Sequence, residues 1–314
     1  MDQESGSSYT NLYLRFQAAT DCTEVQERRR TFWAVFTLIC LTEAVCGQSK
    51  KANDQDITTH LPSADFERST SAPDSSISLH KFIENPQTSD ICLIAGVAVA
   101  GFLYRSLLSH ARSSQSDSSY DFWTHHYKLD ALIKSVSIAL DYPLSPKLDP
   151  QVMFLTTLIH TSTILAHRTA FAYANNSAQA NNKLRTPNIL TDTSPRCLTA
   201  ATSISQLMRL ALRSTSSATQ SWYPNPTRSS LVLQLDPLVI PCLSTAMQAL
   251  PPVLRNSNLD TQATEAVQVL FATLNAMRRG APCVDMFMAR MADMEDLHGI
   301  SSYAEDEKVQ HMVY

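Results

Sequence analysis

The chain has 314 residues, 44% apolar and 17% charged, with 25 basic side chains against 29 acidic ones and a net charge of −4. That length can bury a sizeable core. The charge excludes a module that grips nucleic acid through a general excess of Lys and Arg, because such a module has to neutralise phosphates.

Only six glycines occur. Glycine supplies the positive backbone angles that hairpins need, so a glycine-poor chain rich in Leu and Ala favours helices over tight-turned sheet. Residues 1–22 are polar and predict a loose start, without the basic opening and apolar centre of a secretory signal. From Thr23 to Gly47 the pattern is helical. Thr23 is placed to cap it with Gln26 three residues on, Phe32, Trp33, Phe36, Ile39 and Cys40 form a wide apolar stripe, and Gly47 stops it. Residues 48–86 are polar and proline-bearing and predict a long loop. The apolar run Ile91–Tyr104 is followed by Arg105. It falls short of the about 20 apolar residues a membrane span needs, so it predicts a buried helix. A membrane-associated protein using residues 91–108 is the alternative.

Leu129, Leu132, Ile133, Val136 and Leu140 follow helical spacing between Ser119 and Leu140, and Pro143 and Pro146 end that helix. Val152–Tyr173 is apolar on most sides and predicts a central helix. An Asn-rich connector is expected over 175–195. Cys197, Ala200, Ala201, Ile204, Leu207, Met208 and Ala211 then give the cleanest amphipathic pattern in the chain. A helix starting near Pro237 or Pro241 follows, since proline is tolerated in a first turn. Helices over Thr261–Arg279 and from Val284 towards Leu297 complete the series. The expected fold is all-α, an irregular bundle of about eight helices over 23–298, with a polar tail at 299–314.

No constellation of catalytic residues stands out. The elbow G-x-S-x-G and the zinc signature H-E-x-x-H are absent. Gly96 and Gly101 are spaced as in a phosphate loop, but Phe102 and Leu103 stand where the lysine and hydroxyl would be. His125 and His126 are adjacent, which puts them on different helix faces and predicts surface residues. Asp54, Asp56, His60 and Asp65 lack the glycine and closing glutamate of a calcium loop. His160 and His167 sit on an apolar helix and predict hydrogen-bonded core or boundary histidines. Met286, Met288, Met291 and Met294 predict core packing or a pliable partner surface. The seven cysteines are scattered, with no C-x-x-C pair, and predict free thiols rather than a zinc site. Arg28, Arg29 and Arg30 lie beside Glu24 and Glu27 and predict a solvated face with ion pairs. No catalytic, cofactor-binding or metal-ligating residue is assigned, and an enzyme is not expected; an all-α enzyme is the weaker alternative.

Arg28-Arg29-Arg30-Thr31-Phe32-Trp33, then Asp54-Gln55-Asp56-Ile57 and Leu61-Pro62, resemble the regulatory (middle homology) domain of fungal transcription factors of the zinc binuclear cluster class. Further segments are similar in order: Phe122-Trp123, His126-Tyr127-Lys128-Leu129-Asp130, Ile164-Leu165-Ala166-His167-Arg168, and Cys197 opening a helix with Ala200-Ala201. The resemblance covers most of 24–295. It implies a nuclear helical module that responds to protein partners, such as related regulators or the transcription machinery, or to a small-molecule effector. Members of that class carry zinc and contact DNA through a six-cysteine cluster that has no counterpart in this chain. The chain is therefore expected to be a truncated or DNA-binding-deficient member, with no cofactor of its own.

Overall fold

The computed structural model describes residues 21–46, 57–63, 77–86, 91–116, 121–142, 148–180, 189–216, 231–250, 261–278 and 280–292. These form ten helical segments: α1 (Cys22–Cys46), α2 (Leu79–Glu84), α3 (Leu93–Ser116), α4 (Phe122–Ala139), α5 (Pro150–Ala180), α6 (Ile189–Ser216), α7 (Leu231–Gln234), α8 (Val239–Ala249), α9 (Thr261–Met277) and α10 (Cys283–Ala292). Among the described residues there is no strand, only isolated bridges between His60 and Ser78 and between Ser63 and Ile91. The fold is all-α, as composition and periodicity predict.

α5 is the central helix, and its sequence explains why. Met153, Leu155, Leu158, Ile164, Ala166 and Ala170 are all fully buried, an apolar wrap that needs neighbours on several sides. α3, α4, α6 and α8 supply them. The polar residues of α5 do not break the core, because their hydroxyls bond back to the carbonyl one turn earlier: Thr157 to Met153 at 2.7 Å, Thr161 to Thr157 at 2.8 Å, Ser162 to Leu158 at 2.9 Å. Each buried hydroxyl is thereby satisfied inside its own helix.

α3 is long and apolar enough to cross a membrane by length and composition. Here it is a core helix lying between α1 and α5. Ala95, Ala98, Val99, Leu103 and Leu107 are buried, and Arg105 Nε donates to the buried Glu43 of α1 at 3.0 Å. Gly101 is where α1 comes close, since a Cβ there would lie 3.5 Å from Thr37 Cγ2. The glycine pair at 96 and 101 thus serves helix packing.

Several expected boundaries move. α1 is capped by Asp21, not Thr23: Asp21 Oδ1 accepts the Glu24 amide at 2.8 Å, and a carboxylate suits a helix N-terminus. Within the expected loop 48–86, α2 forms because Ser78 caps it and Leu79 and Phe82 reach the core. The connector expected over 175–195 is largely helix. α5 runs to Ala180 and α6 begins at Ile189 with Pro195 inside it. The last helix ends its described portion at Ala292. Residues 1–20 and 299–314 lie outside the described residues.

Candidate functional site

The buried histidines, His110, His126 and His167, gather where α3, α4, α5 and α6 meet. Asp121 starts α4 by accepting the Thr124 amide at 3.2 Å, and those hydrogen bonds hold its carboxyl below the usual range. From that cap, Phe122, His126 and Asp130 fall at steps of four and share one face of the helix. Phe122 stacks on His110 of α3 at 4.5 Å and on Tyr173 of α5 at 3.8 Å. His126 lies 5.7 Å from His110 and 6.5 Å from His167 of α5, ring centre to ring centre. Trp123 packs edge-on against Tyr173 at 5.9 Å and closes the cluster on the outside.

Asp130 ties α4 to α6, with His167 of α5 alongside. Oδ2 accepts from Lys134 Nζ at 2.6 Å, and Oδ1 accepts from Arg196 Nη1 of α6 at 3.3 Å. His167 Nε2 stands 3.9 Å from the same oxygen, too far for a hydrogen bond, and 3.5 Å from Arg196 Nη1. Burial alone would raise the Asp130 carboxyl. The Lys134 hydrogen bond, with the charges of Lys134 and Arg196, outweighs it and leaves the carboxyl below its ordinary range.

The histidines are held neutral. His110, His126 and His167 are 2, 0 and 0% exposed. Burial pushes His110 and His167 down to about 4, and lowers His126 against the pull of Asp130. Among the described residues neither ring nitrogen of His126, nor Nδ1 of His167, has a hydrogen-bond partner. A buried polar atom is ordinarily satisfied by a hydrogen bond, which sets these rings apart from the self-satisfied hydroxyls of α5.

The expectation for His126 needs correction. His125 is exposed, but His126 is wholly buried, because it shares the inward face with Phe122. His160 is half-buried and its basicity is lowered by burial. His60 is exposed, while Asp54, Asp56 and Asp65 lie outside the described residues, as does Met294. Met286 is exposed and Met288 packs on the core. Cys197 and Cys242 are buried thiols, raised by burial to about 11 and about 12, and so poor nucleophiles. Among the described residues no group of three or more His, Cys, Asp or Glu side chains could hold a metal ion. Arg196 had no signal of its own; the i, i+4, i+8 spacing of Phe122, His126 and Asp130 was the readable clue.

The segments quoted for the family resemblance meet in space at two places. Phe122-Trp123, His126, Asp130 and His167 form the junction, next to Arg196. Trp33 Nε1 donates to the His60 carbonyl at 2.7 Å, which joins the Arg-Phe-Trp helix to Leu61-Pro62. Leu61 is buried, and its amide donates to the Ile77 carbonyl at 2.8 Å.

The pigment biosynthesis transcriptional activator pigB of Monascus ruber is 24% identical over 167 residues, covering 51% of this chain and 30% of pigB. The transcription factor tazR of Aspergillus terreus is 25% identical over 158 residues, 45% of this chain and 24% of tazR. Over about half of its length this chain is similar to fungal transcription factors. The matched region spans less than a third of either relative. No family model and no solved structure matches. Both relatives are named as regulators of transcription, not as enzymes.

Proposed function

We propose that this chain is a helical regulatory module in transcription by RNA polymerase II, of the middle homology type, working in the nucleus through related regulators, the transcription machinery or a small-molecule effector. The observation that carries this reading is the similarity to pigB and tazR, each named for control of transcription. The module works without catalysis and without a cofactor of its own. The net charge of −4 suits contacts with proteins better than a phosphate backbone. Contact with DNA is left to a six-cysteine head of the kind the class carries.

The α3–α4–α5–α6 junction is the element such a module would use. A regulator must bias two packings of the same helices, and the effector must bind one of them better. A core bearing unpartnered imidazoles is less deeply stabilised in one packing than an all-apolar core would be. Contacts that release Asp130 of α4 from Arg196 of α6 would therefore meet less resistance there than elsewhere.

The test is a reporter assay in a filamentous fungus. The chain is fused to an unrelated DNA-binding head and activation segment, and compared with a fusion carrying an inert helical domain of equal size. Reporter output altered at least several-fold by this chain, with the fusion protein in the nucleus, is the expected result. Output indistinguishable from the inert fusion, at equal protein level, would refute the reading.

A further inference from the structure

α1 has two apolar faces, and among the described residues one of them is packed. Trp33, Phe36, Cys40 and Leu41 are buried, and α3 lies along this helix. On the other side Phe32, Val35, Leu38 and Ile39 are 38, 52, 49 and 44% exposed. Arg28, Phe32, Val35, Ile39 and Thr42 follow one another in steps of four and three, the spacing of a seam along which a second helix can lie. Together the four apolar side chains uncover on the order of 350 Å², within the size of patch that marks interaction sites.

We propose that this seam is a self-association surface, on which α1 of a second copy lies antiparallel about a two-fold axis through Val35. The stripe is complementary to itself in that direction. Val35 meets its own symmetry mate, Phe32 falls level with Leu38 and beside Ile39 of the other copy, and Arg28 falls opposite Thr42, so each off-axis contact is made twice, as an isologous interface requires. Charge selects the antiparallel order. A parallel pair would stack the three arginines 28–30 on their counterparts. The antiparallel pair sets them about 20 Å apart, at 1.5 Å per residue. It also moves Arg28 towards the carbonyl end of the facing helix, where a cation is favoured; within its own chain Arg28 bonds to Glu24.

The same charges argue against a basic partner helix. Beyond Glu27 the only carboxylate on α1 is Glu43, which is buried against Arg105. Counting the stems of Arg28, Thr31 and Thr42, the pairing covers roughly 500 Å² per copy, less than the about 800 Å² of a standard interface. The dimer therefore dissociates in the micromolar range. This inference rests on the exposure of α1 and is independent of the regulatory reading.

The whole chain is followed by analytical ultracentrifugation from 1 to 200 µM. Wild-type protein is expected to shift from monomer to dimer across this range. Val35→Glu is expected to stay monomeric at 200 µM with an unchanged far-ultraviolet circular dichroism spectrum. Ile138→Glu, at a 72% exposed position on α4, is the control and keeps the dimer. A wild-type monomer at 200 µM overturns the proposal, whatever the variants do. So does a dimer that survives Val35→Glu, which would place the contact on another face.

Discussion

Acidification should loosen this protein well before its carboxylates protonate. His110 and His167 sit at about 4 in the folded chain, pushed down first by burial, against about 6.5 in an unfolded one. Below pH 6.5 the unfolded chain takes up protons that the folded chain refuses, so stability falls with pH and goes on falling until about pH 4. At pH 5 each unfolded imidazole is some thirty-fold more protonated than neutral, and each folded one is mostly neutral. That difference is worth about 2 kcal/mol per histidine at pH 5 relative to pH 7.5, and about 3 kcal/mol at the limit. Two such groups give about 4 kcal/mol at pH 5, with His126 adding in the same direction. This is a large share of the 5–15 kcal/mol that holds a typical domain together. Asp121 and Asp130 are lowered instead, so their contributions persist above the ordinary carboxylate range and vanish only as pH falls through their folded values. The assay is urea unfolding at pH 7.5, 6.0 and 5.0, followed by circular dichroism at 222 nm. The combined His110→Phe and His167→Phe variant should lose most of the slope between pH 6.5 and 5. Stability that is flat or rises from pH 7.5 to 5 would refute the claim that these rings are buried and neutral.

Four other outcomes follow from named contacts. His126→Phe should be neutral or stabilising by about 1 kcal/mol at pH 7.5, because an aromatic ring keeps the stack and no hydrogen bond is lost; a marked loss in urea unfolding would reveal a hidden partner for His126. Glu43→Ala should cost about 3–5 kcal/mol by leaving Arg105 charged and buried, whereas Glu43→Leu with Arg105→Met should recover much of that in the same assay. Trp33→Phe removes the donor to the His60 carbonyl and should cost about 1–3 kcal/mol, with faster amide exchange at Leu61 as its local signature. Gly101→Ala should stabilise by up to about 1 kcal/mol through helix propensity, since the new methyl meets Thr37 at ordinary contact distance; a fall in melting temperature would mean that α1 and α3 lie closer than described.

The helices legible in the sequence are those whose apolar residues repeat strongly, such as Cys197 to Ala211 in α6 and Leu129 to Leu140 in α4. What local pattern missed was decided at a distance. α2 is six residues long, too short for a period, and it forms because Phe82 finds the core. The first turns of α6 look like a connector, since Pro195 and a run of polar residues give no stripe. His126 was misjudged for a similar reason. Its neighbour His125 drew attention to adjacency, while its real partners are one turn back at Phe122 and one turn on at Asp130. His110, His167 and Arg196 come from other helices, so no spacing rule within one segment could have gathered them.

That difference bears on how such a module could work. The apolar stripes fix which helices pack, and burial of that kind is non-directional. It tolerates a slide or a tilt of one helix on another at modest cost. The junction around Asp130 is directional: Lys134 and Arg196 reach its two oxygens at 2.6 and 3.3 Å, and Phe122 is stacked with rings from α3 and α5. A shift of α4 that leaves Ile133, Val136 and Leu140 buried would still break the Arg196 contact and the ring stack, while Lys134 moves with its own helix. The register of α4 is thus set by its polar half and its adhesion by its apolar half. A partner or ligand that competes for Asp130 or Arg196 could change the first without undoing the second.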